Sequence, residues 1–73
     1  MKVEKIAITT EFIKLDSFLK FAAAVDTGGM AKEIIQQGYV KVNGEVCLMR
    51  GKKLRPGDKV EVEDYTFIVE DGN

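Results

Sequence analysis

The chain has 73 residues and a formal net charge of −1, with 45% hydrophobic and 32% charged residues. These values exclude a disordered chain and are typical of one small folded domain, which buries only about 60% of its unfolded surface. No apolar run approaches the ~20 residues that span a bilayer, and the N-terminus lacks the apolar region of a signal peptide. We therefore expect a single cytoplasmic domain over residues 1–73, monomeric and without membrane contact.

Histidine is absent, and Cys47 is the only cysteine. The chain therefore has no internal disulfide and no cluster of thiolate ligands. The lack of histidine also removes the usual general base and the commonest metal ligand. No nucleophile–base pair is evident, so the sequence predicts a protein that is not an enzyme and has no cofactor, no metal site and no small-molecule substrate.

The N-terminal part of the chain is predicted to form a strand and then a helix. Residues 2–9 are rich in β-branched side chains and alternate in part, which predicts a strand, whereas residues 10–14 are ambiguous. From Leu15 onward the apolar residues recur at the helical period. The members of this series are Leu15, Phe18, Leu19, Ala22 and Val25.

A second, shorter helix is predicted to begin after Thr27, whose hydroxyl is a good N-cap acceptor. Ala31, Ile34 and Ile35 form its apolar stripe, and Gly38 stands where a helix-ending glycine with positive φ is expected. Sequence alone thus predicts both ends of this helix.

Residues 39–48 carry the strongest local signal, because Asn43-Gly44 between β-branched runs is typical of a type I′ hairpin. A strict two-residue loop would place Val42 opposite Glu45, which mixes polar and apolar residues on one face. The register of the hairpin therefore stays open at this point.

The C-terminal part is predicted to contain a basic loop, a turn and two strands. The loop covers residues 49–53, and the segment from Arg55 to Asp58 fits a type II turn, with Pro56 and Gly57 at its central positions. Residues 59–63 and 66–70 alternate as half-buried strands do, and residues 71–73 are expected to fray.

Charge is distributed unevenly along the chain. Residues 12–59 contain nine basic and five acidic side chains, whereas residues 60–73 contain five acidic side chains and no basic one. Such a split is compatible with a basic face and an acidic face on a nearly neutral molecule. Evenly solvated charge is the alternative.

The start of the second helix is a candidate anion site. Unpaired backbone N–H groups and the helix dipole favour anions there, and glycines let a ligand approach the backbone closely. Gly28 and Gly29 lie in this first turn, and Lys32 and Gln36 follow Gly28 at intervals of four on the same face. The alternative is that residues 26–29 form only a flexible loop.

A second candidate surface is basic. Its members are Lys41, Arg50, Lys52, Lys53 and Arg55, which flank the hairpin and could contact several phosphates together. A solvated loop is the alternative. All four phenylalanines are interpreted mainly as core residues, so base stacking is disfavoured and recognition of folded RNA through its shape and backbone is favoured.

Three segments together resemble the S4-type RNA-binding domain, also called the αL motif, over residues 12–63. They are Lys14-Leu-Asp-x-x-Leu19, then Thr27-x-x-x-Ala31-Lys32-x-x-Ile35-x-x-Gly38-x-Val40-x-Val42-Asn43-Gly44, then Pro56-Gly57-Asp58-x-Val60. Within that family the chain is similar to small stand-alone bacterial proteins with the variant Thr27-Gly-Gly-x-Ala-Lys32 and a downstream Arg50-Gly-x-Lys-Leu54.

The resemblance implies an α+β fold, with two helices packed on a small, mostly antiparallel sheet of four to five short strands. It also implies a non-catalytic module that binds structured RNA, ribosomal RNA or a ribosome-assembly intermediate, through helix two and the following hairpin. The candidate RNA-binding residues are Lys14, Thr27, Gly28, Gly29, Met30, Lys32, Gln36, Lys41, Arg50, Lys52, Lys53 and Arg55.

One departure from the family pattern bears on this expectation. The commoner pattern has Ser-Arg where this chain has Thr27-Gly28, so an arginine contact to phosphate is lost. RNA affinity is then expected to depend more on Lys32 and the basic loop. The alternative function is a protein–protein adaptor that uses a strand edge and the acidic C-terminal face.

Overall fold

The computed structural model describes residues 2–72, and two sheets and two helices make up the fold. The elements are β1 (Lys2–Ile8), β2 (Ile13–Lys14), α1 (Leu15–Phe21), α2 (Gly28–Gln36), β3 (Val40–Val42), β4 (Glu45–Val46), β5 (Lys53–Leu54), β6 (Lys59–Val62) and β7 (Tyr65–Asp71). The larger sheet has the order β1-β7-β6-β3-β4, and β2 pairs with β5 in a separate ribbon. Only the β1–β7 pair is parallel among these described strands. The predicted α+β class with a mostly antiparallel sheet is confirmed.

The core lies between the two helices and one face of the larger sheet. Helix α1 contributes Leu15, Phe18 and Leu19, which are fully buried, and α2 contributes Ala31 and Ile35. The sheet side is formed by alternate strand residues, because successive side chains of a strand point to opposite faces. The buried sheet residues include Ile8, Val40, Val42, Val60, Val62, Phe67 and Val69.

Helix α1 is shorter than its apolar series predicts. It ends at Phe21, and Ala23 has a φ of 60°, so the chain has left the helix before Val25. Val25 is nevertheless buried, because the connection folds back and the Val25 N–H donates to the Leu19 carbonyl (3.4 Å). The expectation that Phe21 is a core residue is wrong, since its side chain is 61% exposed.

Both predicted ends of α2 are confirmed. The Thr27 hydroxyl accepts the N–H of Met30 at 3.2 Å, which satisfies one of the free donors of the first turn. At the other end, Gly38 has a φ of 82° and its N–H donates to the Ile35 carbonyl at 3.1 Å. A side chain at this φ is strained, so glycine suits the position.

The hairpin adopts the strict two-residue loop. Asn43 and Gly44 have φ values of 53° and 87°, and Val42 pairs with Glu45. The mixed pairing is tolerated because β4 has only two residues and both are exposed. Buried Val42 therefore packs against the core, while Glu45 stays in water.

A small network of hydrogen bonds, which we call the latch, joins the hairpin turn to the predicted type II turn. The Gly57 φ of 101° and the bond from the Asp58 N–H to the Arg55 carbonyl (3.0 Å) confirm that turn. The Asp58 carboxylate accepts the Arg55 N–H at 2.8 Å and the Asn43 amide at 3.1 Å. The Asn43 side-chain oxygen in turn accepts the Lys59 N–H at 3.0 Å.

Removing the carboxylate should weaken this latch. We expect Asp58→Ala to lower the free energy of unfolding by about 1–2 kcal/mol, because two hydrogen bonds are lost at a half-buried site that water can partly reach. Urea denaturation measures the change. Glu45→Ala is the matched control, since Glu45 lies beside the same hairpin turn but is exposed; an equal loss in both variants would contradict a role for the latch.

Residues 71–72 bond to the end of β1, so the expectation that they fray is wrong. Strand β7 runs through Asp71, and the Gly72 N–H donates to the Ile8 carbonyl at 2.8 Å. Asn73 lies outside the described residues. Within residues 2–72, neither helix has the length and apolar character that crossing a membrane requires.

Candidate nucleic-acid interface

The basic loop is held against the N-terminus of α1 by its own backbone. The Lys52 carbonyl accepts the Leu15 N–H at 2.8 Å, and the Arg50 carbonyl accepts the Asp16 N–H at 3.1 Å. Loop carbonyls thus satisfy donors that the first helical turn leaves free. Because the backbone makes these bonds, the side chains of Arg50 and Lys52 stay exposed.

Strand pairing brings two further lysines next to this basic loop. Lys14 of β2 pairs with Lys53 of β5, and cross-strand partners lie on the same face of a ribbon. Leu54 points the other way and is fully buried, which fixes the ribbon on the core. The ammonium of Lys53 lies 4.8 Å from the centre of the Phe12 ring. We call the four side chains of Lys14, Arg50, Lys52 and Lys53 the basic platform.

Arg55 lies next to this platform in the chain, after Leu54. Its backbone N–H is bound by Asp58, and its side chain is exposed at the start of the type II turn. The fold therefore places five of the predicted site residues on β2, β5 and the segments beside them.

Helix α2 presents a separate part of the predicted site. Gly28, Gly29, Met30, Lys32 and Gln36 are exposed, because the opposite side of the helix packs on the core. Of the N–H groups in the first turn, that of Met30 is already taken by the Thr27 hydroxyl. Among the described residues no acceptor is seen for those of Gly28 and Gly29, so these two donors are available to a ligand.

The fold itself does not require glycine at either position. A Cβ on Gly28 would meet no atom within 4 Å, and one on Gly29 would lie 3.8 Å from the Thr27 hydroxyl. Neither residue has a positive φ. Since glycine destabilises a helix by up to about 1 kcal/mol relative to alanine, its presence twice in one turn is consistent with close approach of a ligand.

Lys41 lies away from the candidate site residues on α2. Its neighbours Val40 and Val42 are buried on the core face of β3, so Lys41 points to the opposite face of the sheet. There it lies between Val46 of β4 and Glu61 of β6. The sheet therefore separates Lys41 from the exposed side of α2.

Two exposed aromatic rings add to the surfaces available for a ligand. Tyr39 is 60% exposed and follows α2, and Phe21 ends α1. The sequence analysis interpreted Phe21 as a core residue and so missed this exposed ring. The signal was present, because position 21 falls outside the apolar series of α1.

Comparison with known protein families identifies the domain. A family model described as the S4 domain matches residues 6–70. The chain belongs to the S4 domain family. The matched region begins within β1 and ends within β7, so it includes both helices, the β2–β5 ribbon and most of the larger sheet.

Individual relatives are similar over most of the chain. The chain is 47% identical over 60 residues to the probable ribosome maturation protein RlbA of Bacillus subtilis (strain 168). This match covers 82% of this chain and 84% of that protein. It is 35% identical over 52 residues to the small ribosomal subunit protein uS4 of Anaeromyxobacter sp. (strain K), and 37% over 51 residues to uS4 of Hyphomonas neptunium (strain ATCC 15444). The matches cover 71% and 70% of this chain but only 25% of each uS4 protein.

Proposed function

We propose that this S4 domain is a non-catalytic cytoplasmic module that binds structured RNA, either ribosomal RNA or a ribosome-assembly intermediate. The observation that carries the proposal is the basic platform, in which strand pairing and backbone hydrogen bonds bring together the chain segments that carry four exposed cationic side chains. The relatives support the same role, since one is named as a probable ribosome maturation protein and others as a ribosomal subunit protein.

The contacts are expected to be made to the RNA backbone. Lysine and arginine side chains neutralise phosphates and release counterions, a contribution that does not depend on base sequence. The N–H groups of Gly28 and Gly29 add donors for one phosphate at the positive end of α2. The backbone of the platform is already fixed by its carbonyl hydrogen bonds and by strand pairing. RNA binding therefore has to order only the side chains, and it loses less conformational entropy than binding by a flexible loop would.

The remaining predicted residues contribute unequally in this arrangement. Lys32 and Gln36 continue the exposed face of α2 beyond its glycines, and Arg55 extends the platform toward the type II turn. Lys41 lies on the other face of the sheet, so RNA reaches it only by passing around the edge strand β4. We therefore expect Lys41→Ala to cause the smallest loss of affinity in this set.

A titration with folded RNA tests the proposal. The labelled probe is a ribosomal RNA hairpin, compared with a single strand of the same length, at 50 and 200 mM salt. Contacts from the four platform residues predict tighter binding of the hairpin and an affinity that falls by about 50–150-fold between the two salt concentrations. Amide shifts in an NMR titration should locate the RNA on the platform and on the start of α2. An affinity that does not depend on salt would exclude the electrostatic mechanism.

A substitution at Gly28 should have opposite effects on the stability of the helix and on its affinity for RNA. We expect Gly28→Ala to raise the free energy of unfolding by up to about 1 kcal/mol, because alanine is the better helix former. The same change should lower RNA affinity by about tenfold, since the methyl group keeps a phosphate from the N–H and removes a hydrogen bond worth roughly 1.5 kcal/mol. Thermal unfolding and RNA titration measure the two effects.

Gln37→Ala is the control for this prediction, because Gln37 is exposed at the opposite end of the same helix. It should leave RNA affinity unchanged within about twofold. A Gly28→Ala variant that is stabilised and binds RNA as well as the parent would show that the glycines have no part in binding.

A further inference from the structure

A concave surface lies between the α1–α2 connection, the exposed side of α2 and the turn between β6 and β7. This groove has a volume of about 510 Å³ and shares no lining residue with the basic platform. Its apolar part includes Met30 and Tyr65, which are 44% and 40% exposed, and half-buried Ile34. Exposed apolar residues collected in one concavity are typical of a binding site.

The floor of the groove is continuous with the core. The Tyr65 ring stacks on Phe67, with ring centres 5.9 Å apart and planes at 9°. Phe67 in turn meets Phe18 edge to face at 6.1 Å. Because Phe18 is fully buried in α1, the exposed ring of Tyr65 is supported by the hydrophobic core.

The charge at the groove is acidic. Glu4 and Glu63 line it, and no lysine or arginine is among its described lining residues. Asp26 and Asp64 directly follow the lining residues Val25 and Glu63 in the chain. The phosphates of RNA would be repelled here, whereas a cationic partner would be attracted.

The ring of Tyr65 already has a cation beside it. The ammonium of Lys2 lies 5.7 Å from the ring centre. A positively charged group over the face of a tyrosine is attracted by the ring electrons. A lysine or arginine of a partner would compete with Lys2 for this ring.

We propose that this groove binds a basic segment of a partner protein. An apolar side chain of that segment packs on Met30, Ile34 and Tyr65, while flanking lysine or arginine side chains lie against Glu4 and Glu63. The groove shares no residue with the basic platform, and of the candidate RNA-binding residues only Met30 lines it, so RNA bound on the platform leaves the rest of the groove open to a basic protein segment. This gives the S4 domain a second kind of partner.

Selection from a random peptide library tests the proposal directly. Peptides of about twelve residues are displayed on phage and selected on the nuclease-treated full chain, with counter-selection against the Glu63→Lys variant. The selected peptides should be rich in lysine or arginine around a large apolar residue. For a synthetic peptide of that kind, Glu63→Lys should lower the affinity by about tenfold, because it replaces an attraction with a repulsion.

Glu70→Lys is the matched control, since it makes the same charge change on the exposed end of β7. It should alter the peptide affinity by less than about twofold. The proposal is overturned if selection yields no peptides that depend on Glu63, if they lack basic residues, or if both variants weaken binding equally. It is also overturned if an RNA hairpin shifts the amides of Ala24 and Glu63, because the groove would then belong to RNA.

Discussion

Replacing Lys52 and Lys53 with alanine is expected to weaken binding to folded RNA by about 15–30-fold at 0.15 M salt. Each lost phosphate contact should reduce the slope of log affinity against log salt by about 0.7–0.9, so the double variant should flatten it by about 1.4–1.8. The fold should be unaffected, because Lys52 supports α1 through its backbone carbonyl, which alanine keeps. Anisotropy titrations across a salt series measure both quantities.

A double variant on the other face of the sheet provides the control. Lys5 and Lys59 are exposed on either side of Ile68, and their replacement by alanine removes the same charge. We expect this variant to change RNA affinity by less than about threefold. If both double variants weaken RNA binding equally, net charge and not the basic platform controls affinity.

The largest effect on stability is expected from Leu54→Ala. Leu54 is fully buried and is the residue by which β5 packs on the core. Truncation of a buried leucine destabilises by about 2–5 kcal/mol, through lost apolar burial and the cavity that remains. A domain of 73 residues has a total stability of roughly 4–11 kcal/mol, so this variant should be partly unfolded at 37 °C.

Leu48→Ala is the matched control for Leu54→Ala. The residue type and the substitution are the same, but Leu48 is 60% exposed, so the expected loss is below about 0.5 kcal/mol. Urea midpoints at constant m-value compare the two variants. Similar losses would contradict the packing of β5 on the core.

Features that depend on neighbours in the chain could be predicted from sequence. The Thr27 cap, the glycine at position 38 and the Asn43-Gly44 turn each act over only a few residues. In such cases the residue type sets the backbone dihedral angles directly. The predicted order of the segments also agreed with the S4 domain match over residues 6–70.

Other features could not be predicted because they join distant parts of the chain. The β2–β5 ribbon pairs residues about forty positions apart, and its strands of two residues each are too short to show a periodicity. The pairing of β1 with β7 similarly orders residues 71–72, which a local interpretation leaves to fray. Helix α1 ends at Phe21 because the α1–α2 connection folds back, although the alanines that follow have a high helix propensity.

The candidate site shows the same division. Residue types alone establish which cations and glycines are available, where α2 begins, and that acidic residues collect after position 60. Strand pairing and backbone hydrogen bonds between distant segments place Lys14 beside the segment that carries Arg50, Lys52 and Lys53, and they put Lys41 on the opposite face of the sheet. This difference arises because residue type and local dihedral angles are properties of short segments. The side on which a side chain lies depends on strand pairing and burial across the whole chain.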